Sequence, residues 1–518
     1  MSMIKIILSL FFFSLLLISC ETDFTSNAAS ISQTEKKRES DSEKKTDSSE
    51  TSFPEEKKDS EVDENRENEE IDDTQYEVTE DEPLFIEEEI VEPVHREWTV
   101  LVYMAADNNL EGDAVTDFNE MEVAEFGEEM SVLLLFDRSE KYDATNGDWA
   151  ETRLYKVDRD QQLNKTLIAS EEVDCEELGL KVGQATELDM ANPATLSAFL
   201  RFARRAYEAD NYALIIWGHG TGWRNAFSEN PLSLQQDSFS ETGEKFRAVA
   251  IDGTSDSYMS ISQLRSAIED GMQGEKLAFI GFDTCFGMCL EAAYELSDCA
   301  LFMLGTPALV PESGWDYKSV FSDFFASERT TEAFIDAISK NYERDYKNYA
   351  YASFSCISLS LIPDLVDSLS SYSRLLADSI CDKNSRDLVF NFLTSEAVSY
   401  CATTYPTDFS VDLLSLSDAA KVCGLDIGSA SAELKATLSS ALIYSWSAAG
   451  LPVSLGVFFC IYKNASCIQG SHPSLYFNGS RDTLLSRFVS DCSGYVPSIS
   501  NHGSLLDKLF YTNFYSVF

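Results

Sequence analysis

Two side chains in this sequence, Cys285 and His219, have the types and surroundings that nucleophilic chemistry needs. Cys285 ends the run Leu277-Ala-Phe-Ile-Gly-Phe-Asp-Thr-Cys285, an apolar, β-prone stretch with a helix-like segment directly after it. A thiol at a strand's carboxyl end, facing the amino end of a helix, is favoured as thiolate, the nucleophilic form. Of the four histidines, His95 borders an acidic segment, and His472 and His502 lie in loop-like surroundings. Only His219 follows a buried apolar run, Tyr212–Trp217, inside the glycine-rich turn Gly218-His-Gly-Thr-Gly222. If the two runs are parallel neighbours, both side chains stand on one rim, and the imidazole can take the thiol proton and return it to a leaving amine. Gly220 lets the backbone approach a substrate carbonyl, and its N–H, with that of Cys285, is placed to stabilise an oxyanion. Taken singly, a buried cysteine is a small hydrophobe and Gly-His-Gly a turn. Their coincidence at the ends of successive buried runs is what points to catalysis.

The runs that must position these groups read as an α/β fold. Trp98–Met104, Ser131–Asp137, Tyr212–Trp217, Leu277–Phe282 and Ala300–Gly305 are continuous apolar runs suited to strands buried on both faces. Helical segments alternate with them. One follows Asp107 or Asn108 as cap and runs to about Phe126, one is opened by Asn192-Pro193, and one spans Ser260–Gly271. This alternation predicts a mostly parallel sheet covered on both faces. Trp149–Val157 alternates like an edge hairpin. Beyond residue 345 the pattern mixes helical stretches, 361–380 and 431–448, with a β-like stretch at 452–462, an α+β region without a catalytic motif.

Length and charge divide the 518 residues further. The formal charge of −49 is uneven, since residues 21–95 hold 27 acids against 8 bases and few aromatics. Such a segment cannot bury enough apolar surface to order itself. The acidic remainder argues against a nucleic-acid partner, which demands clustered Lys and Arg. Residues 1–20 have Lys5 and then an apolar run from Ile6 to Ile18, too short for a membrane span and suited to a signal peptide. Its end, Leu17-Ile-Ser-Cys20, resembles the bacterial lipobox, in which the cysteine is lipidated. The expected organisation is a lipoprotein signal peptide (1–20), an acidic disordered linker (21–95), a catalytic domain (96–345) and a C-terminal region (346–518). The expected localisation is an exported lipoprotein, membrane-anchored at Cys20, in the periplasm or on the cell surface. Apart from Cys20 and Cys285, ten cysteines remain with no disulfide framework or metal-ligand spacing.

The stretches 213–223 and 280–294 resemble the histidine and cysteine blocks of the clostripain-like cysteine peptidases. Residues 98–110, 252–264 and 311–317 resemble further blocks of that family, in its order. The resemblance implies a caspase-like α/β/α sandwich and endopeptidase activity on polypeptides, with His219 as general base and acid and Cys285 as nucleophile. It also implies cleavage after Arg or Lys, with Asp283 pairing with the basic side chain. Where the family carries a second acid this chain has Ser313, with Glu312 beside it, which departs from the pattern. Some relatives are activated by cutting between the two blocks, where Lys245 and Arg247 stand in a polar loop. The dyad requires no cofactor. Calcium dependence occurs in the family, but no EF-hand-like loop is present and the sequence assigns no metal site. A second reading is a non-catalytic surface lipoprotein that keeps a peptidase-like fold as a binding module, and a third is another cysteine hydrolase or transferase acting on amides.

Overall fold

The computed structural model describes residues 95–162, 167–222, 249–379, 397–400, 409–451 and 453–459, with 384, 385, 388, 389 and 392. The leader with Cys20, the acidic spacer, Lys245, Arg247, His472 and His502 fall outside these residues.

Strands β1 (Trp98–Ala106) and β2 (Met130–Arg138) are buried at all nine positions. Their side chains alternate between two cores: Leu101, Tyr103 and Ala105 join one, Val100, Val102 and Met104 the other. With β4 (Asn211–Trp217), β7 (Leu277–Asp283) and β8 (Ala300–Gly305) they form a parallel centre in the order β8-β7-β4-β1-β2. Antiparallel strands close both edges. β3 (Thr152–Lys156) pairs with β2, while β9 (Ser353–Ser358) and then β12 (Leu442–Ser447) extend the sheet beyond β8. The full order is β12-β9-β8-β7-β4-β1-β2-β3. A separate hairpin joins β5 (Ala250–Asp252) to β6 (Ser257–Met259).

Helices α1 (Glu111–Glu122), α5 (Tyr317–Phe325) and α6 (Thr331–Tyr346) supply Phe118, Phe321, Phe324 and Phe334 to one core. The other core takes α2 (Pro193–Ala206), α3 (Ile261–Met272), α4 (Leu290–Glu295), α7 (Ile362–Ser379), α8 (Leu413–Val422) and α9 (Gly428–Ala441). The result is the expected α/β/α sandwich with a mostly parallel sheet. Beyond residue 345, a small sheet of β10 (Ser399–Tyr400), β11 (Phe409–Asp412) and β13 (Gly456–Phe459) accompanies these helices. The crossover from β1 to β2 uses α1 on one face, and the crossovers to β4, β7 and β8 use α2, α3 and α4 on the other. The chain therefore changes face at β1, and the carboxyl ends of β1 and β4 flank the switch-point crevice where α/β proteins bind ligands.

Helix caps follow the sequence at α2, where Asn192 accepts the Ala194 N–H, and at α3, where Ser260 and Gln263 form a capping box. Two expectations fail. Neither Asp107 nor Asn108 caps α1: Asn108 instead accepts the Leu110 N–H and donates to the Ala105 carbonyl, tying the turn after β1. The helix expected over 431–448 stops at Ala441, because Tyr444 and Trp446 alternate toward one core as β12 pairs with β9.

Arg138 and Glu111 form an ion pair at 2.7 Å with both side chains fully buried, and Arg138 also donates to the Thr145 and Asp143 carbonyls. Breaking such a pair leaves a buried charge alone, so Arg138→Met is expected to cost about 3–5 kcal/mol in urea unfolding. A loss below about 1 kcal/mol would show that the pair does not hold this corner.

Candidate active site

β4 and β7 lie side by side with Trp217 opposite Asp283. His219 and Cys285 each follow two residues later, so they leave adjacent parallel strands at the same height. The glycines on either side of His219 are each pressed against a neighbouring backbone. Gly218 has φ +134°, and a Cβ there would stand 2.8 Å from the Ala105 carbonyl of β1. A Cβ on Gly220 would stand 2.6 Å from the Cys285 carbonyl and 2.7 Å from Thr284 Oγ1. The Gly218 N–H also reaches the Asp283 carbonyl at 3.4 Å. The turn after β4 is thus clamped between the ends of β1 and β7, and His219 is the only side chain in the clamp.

Asn109, in the turn after β1, holds the imidazole. Its Oδ1 lies 2.8 Å from His219 Nε2. An amide oxygen only accepts, so Nε2 carries the hydrogen and Nδ1 keeps the lone pair. Burial pushes the imidazole down from 6.5 to about 4, so it is neutral at pH 7. The Cys285 thiol is pushed up, chiefly by burial and further by the charge of Asp283. The Val310 N–H, 3.4 Å from Sγ, partly offsets this. The resting pair is therefore thiol and neutral imidazole.

That outcome corrects the expectation of a thiolate held by a helix. No helix begins at Cys285. The chain passes through Phe286 at φ +59° and Gly287, which packs against Phe282, before α4 starts at Leu290. Phe286 and Met288 donate to the Ala308 and Thr306 carbonyls, so this segment pairs with the turn after β8. Cys289 is buried in the core, and Cys175, Cys285, Cys299 and Cys356 are free thiols.

Asp283 is 4% exposed. Its Oδ2 accepts the Trp315 N–H at 3.1 Å and the Tyr317 hydroxyl at 3.0 Å, while the buried Oδ1 has no partner. Burial pushes this carboxyl up to about 7, against the pull of those two donors. Asp117 of α1 stands close by. Its Oδ2 accepts Trp217 Nε1 at 2.7 Å, and burial followed by the charge of Asp283 pushes it well above the ordinary carboxylate range. Gly314 packs on both acids, since a Cβ there would lie 2.8 Å from Asp283 Oδ2 and 3.3 Å from Asp117 Oδ2. Ser313 turns to the Tyr346 hydroxyl at 2.9 Å, and exposed Glu312 raises Asp113 of α1 by its charge, after burial. His95 lies elsewhere, on the surface beside Asp210.

Asn109, Asp113 and Asp117 were not singled out from the sequence. Asp113, Asp117 and Glu120 do recur at helical spacing on α1, which was the available signal. At the ends of β1 and β2, Asp107 and Asp137 meet Glu187 and Asp252, with one carboxylate oxygen of each within 4.8 Å of the others.

A sequence profile of the clostripain family matches residues 102–457. Clostripain from Hathewaya histolytica is 32% identical over 131 residues, 24% of this chain and 24% of that protein. The match thus spans about a quarter of that relative's length. Among solved structures, a secreted cysteine protease from Bacteroides thetaiotaomicron in complex with an irreversible peptide inhibitor has a TM-score of 0.49 at 18% identity, covering 74% of this chain and 97% of its own. An inactive zymogen protease from Parabacteroides distasonis has a TM-score of 0.49 at 20% identity with the same coverage.

The depressed imidazole is open to direct measurement. In the Cys285→Ala protein, the His219 ring resonance, identified by its loss in His219→Ala, is expected to titrate near pH 4. Titration near 6.5 would mean that the ring is solvated and the clamp looser than described.

Proposed function

The chain belongs to the clostripain family of cysteine peptidases, and from that premise we propose that it is an endopeptidase working through Cys285 and His219. The observation that carries this reading is the packing of Gly220 on the Cys285 carbonyl, with Trp217 and Asp283 in register behind it. The proton of the Cys285 thiol passes to His219 Nδ1 as sulfur attacks the scissile carbonyl carbon. The N–H groups of Gly220 and Cys285 receive the developing oxyanion. Collapse of the adduct expels the amine, which takes the proton from the imidazolium, and leaves a thioester on Cys285. Water then attacks that thioester with His219 again as base, releasing the acid and the thiol. Asn109 positions the ring and fixes its tautomer throughout. Because the resting pair is neutral, charge separation occurs only with substrate bound, when the carbonyl oxygen is there to share it.

The substrate class we propose is a polypeptide with Arg or Lys before the cut. The unpartnered Oδ1 of Asp283 is the group that such a side chain would satisfy. Ser313 brings no charge, but Glu312 and Asp113 place two further acids by the same loop, so a basic side chain meets negative charge from the rim inward. Lys245 and Arg247 are the proposed sites of activating cleavage. The proposed setting is outside the cytoplasm, tethered through a lipid on Cys20. No helix among the described residues is long and apolar enough to cross a membrane.

Cys285→Ala and His219→Ala are each expected to abolish cleavage of Arg- and Lys-containing peptides while leaving thermal unfolding unchanged. Full activity in Cys285→Ala would end the proposal. Asp283→Asn keeps an acceptor for Trp315 and Tyr317 but removes the charge, so kcat/KM on basic substrates is expected to fall about a hundredfold, ~3 kcal/mol. A raised carboxyl pKa means ionisation only above it. Activity on basic substrates should therefore rise with pH through about 7 in the native enzyme. In Asp283→Asn that limb should vanish and leave one near 4. An unchanged pH profile in the variant would exclude Asp283 as the specificity charge.

A further inference from the structure

We infer that Leu309, Tyr349, Tyr351 and Leu451 form an apolar subsite for the substrate segment that precedes the scissile bond, selecting a large apolar side chain at the second or third residue before the cut. The inference rests on the peptidase reading above. The four residues are 38%, 45%, 52% and 51% exposed, in that order. One such side chain on a surface needs no explanation. These four come from three separate turns, after β8, before β9 and after β12, and all three turns stand on one rim of the sheet.

The register collects them. Phe282 of β7, Gly305 of β8 and Ser355 of β9 stand level. β9 runs antiparallel to β8, so the chain before Ser353 lies at the rim from which Cys285 leaves β7. β12 runs antiparallel to β9 and ends with Ser447 opposite Ser353, which brings the turn after it to the same rim. Backbone bonds fix these turns. The Tyr349 N–H donates to the Tyr346 carbonyl at 2.9 Å, the Ala352 N–H to the Tyr349 carbonyl at 2.8 Å, and the Ala448 N–H to the Ala352 carbonyl at 3.0 Å. Leu309 precedes Val310, whose N–H lies 3.4 Å from Cys285 Sγ. The tyrosines are braced as well. Tyr351 packs edge-on against Tyr349 with ring centroids 6.2 Å apart, and Tyr349 packs likewise against Tyr346 at 5.4 Å. Tyr346 in turn donates its hydroxyl to the Gly314 carbonyl, in the loop beside Asp283. The rim aromatics are thus preorganised, and covering them costs little further side-chain freedom.

The direction of the substrate follows from the chemistry. β7 has β4 on one side and β8 on the other, with β9 beyond β8. His219 follows β4 and returns its proton to the leaving amine, so the segment after the cut lies on the β4 side. The segment before the cut therefore runs the other way, past Leu309 and onto Tyr351. Neighbouring strands stand about 4.8 Å apart, so β9 is about 10 Å from β7, and an extended peptide at about 3.4 Å per residue covers that in about three residues. The Tyr351 hydroxyl is raised by burial first, then by the charges of Tyr349, Glu312 and Cys285, which agrees with a place within electrostatic reach of the nucleophile.

Two fluorogenic peptides are compared on the full chain, both with the same basic residue before the cut. One carries Leu at the second and third residues before the cut, and the other carries Ser at both. The Leu peptide is expected to be favoured about tenfold or more in kcat/KM, and the full chain with Cys285→Ala should bind it correspondingly tighter in calorimetry. Tyr349→Ser with Tyr351→Ser should bring both ratios close to one. Leu301→Ser, exposed on β8 near its other end, should leave them as they are. Equal treatment of the two peptides by the parent, or a preference that survives the double replacement, would overturn the subsite. Discrimination in binding without cleavage of either peptide would support the subsite and overturn the peptidase reading instead. A dimer that the double replacement dissociates, with the ratios unchanged, would assign the strip to a second copy of the chain.

Discussion

The fit of one turn between two strand ends sets the geometry of this site. Gly218 touches the β1 carbonyl at Ala105, and Gly220 touches the carbonyl of Cys285. A Cβ at either position would stand closer to a backbone oxygen than packed atoms tolerate, and backbone cannot rotate aside as a side chain can. The turn after β4 is therefore held between β1 and β7, with His219 bonded to Asn109. Parallel register supplies the rest: Met104, Trp217 and Asp283 stand level on β1, β4 and β7, so the three turns leave the sheet together. The candidate pair stands beside the switch point, where the crossovers change face.

The same closeness determines the electrostatics. Four groups in and around the site, His219, Cys285, Asp283 and Asp117, are all shifted chiefly by burial, and all toward their neutral forms. The candidate site thus carries little standing charge within an acidic protein. Negative charge stands instead beside the centre, at exposed Glu312 near Asp113, where the proposed basic side chain would compensate it. A site that remains neutral until substrate arrives also protects the thiol, since oxidants react with thiolate.

Most of this architecture could be read in the sequence, for identifiable reasons. Uninterrupted apolar runs gave all five parallel strands, because a strand buried on both faces has no polar phase to confuse it with a loop. Cys285 and His219 were legible as reactive side chains within three residues of the ends of two such runs. The partners of those groups were not. Asn109 is one of two adjacent asparagines in a turn, and only the fold decides that Asn108 ties the turn while Asn109 reaches the imidazole. The helix after Cys285 was misread because Phe286 adopts a left-handed backbone, which its residue type does not announce. Gly220 was assigned to substrate approach, and its nearest constraint is the Cys285 carbonyl itself. The four-carboxylate cluster was invisible to spacing, because its members are separated by 30, 50 and 65 residues along the chain and converge only through the sheet.

The central claim is that one thiol, activated by one imidazole, does the chemistry. The most direct measurement is the mass of the intact protein after reaction with an electrophilic peptide probe ending in Arg or Lys, followed by mapping of the adduct. The account predicts a single adduct on Cys285, formed far more slowly when His219 is replaced by Ala. An adduct on any other residue, or equal labelling of Cys285 without His219, would contradict it.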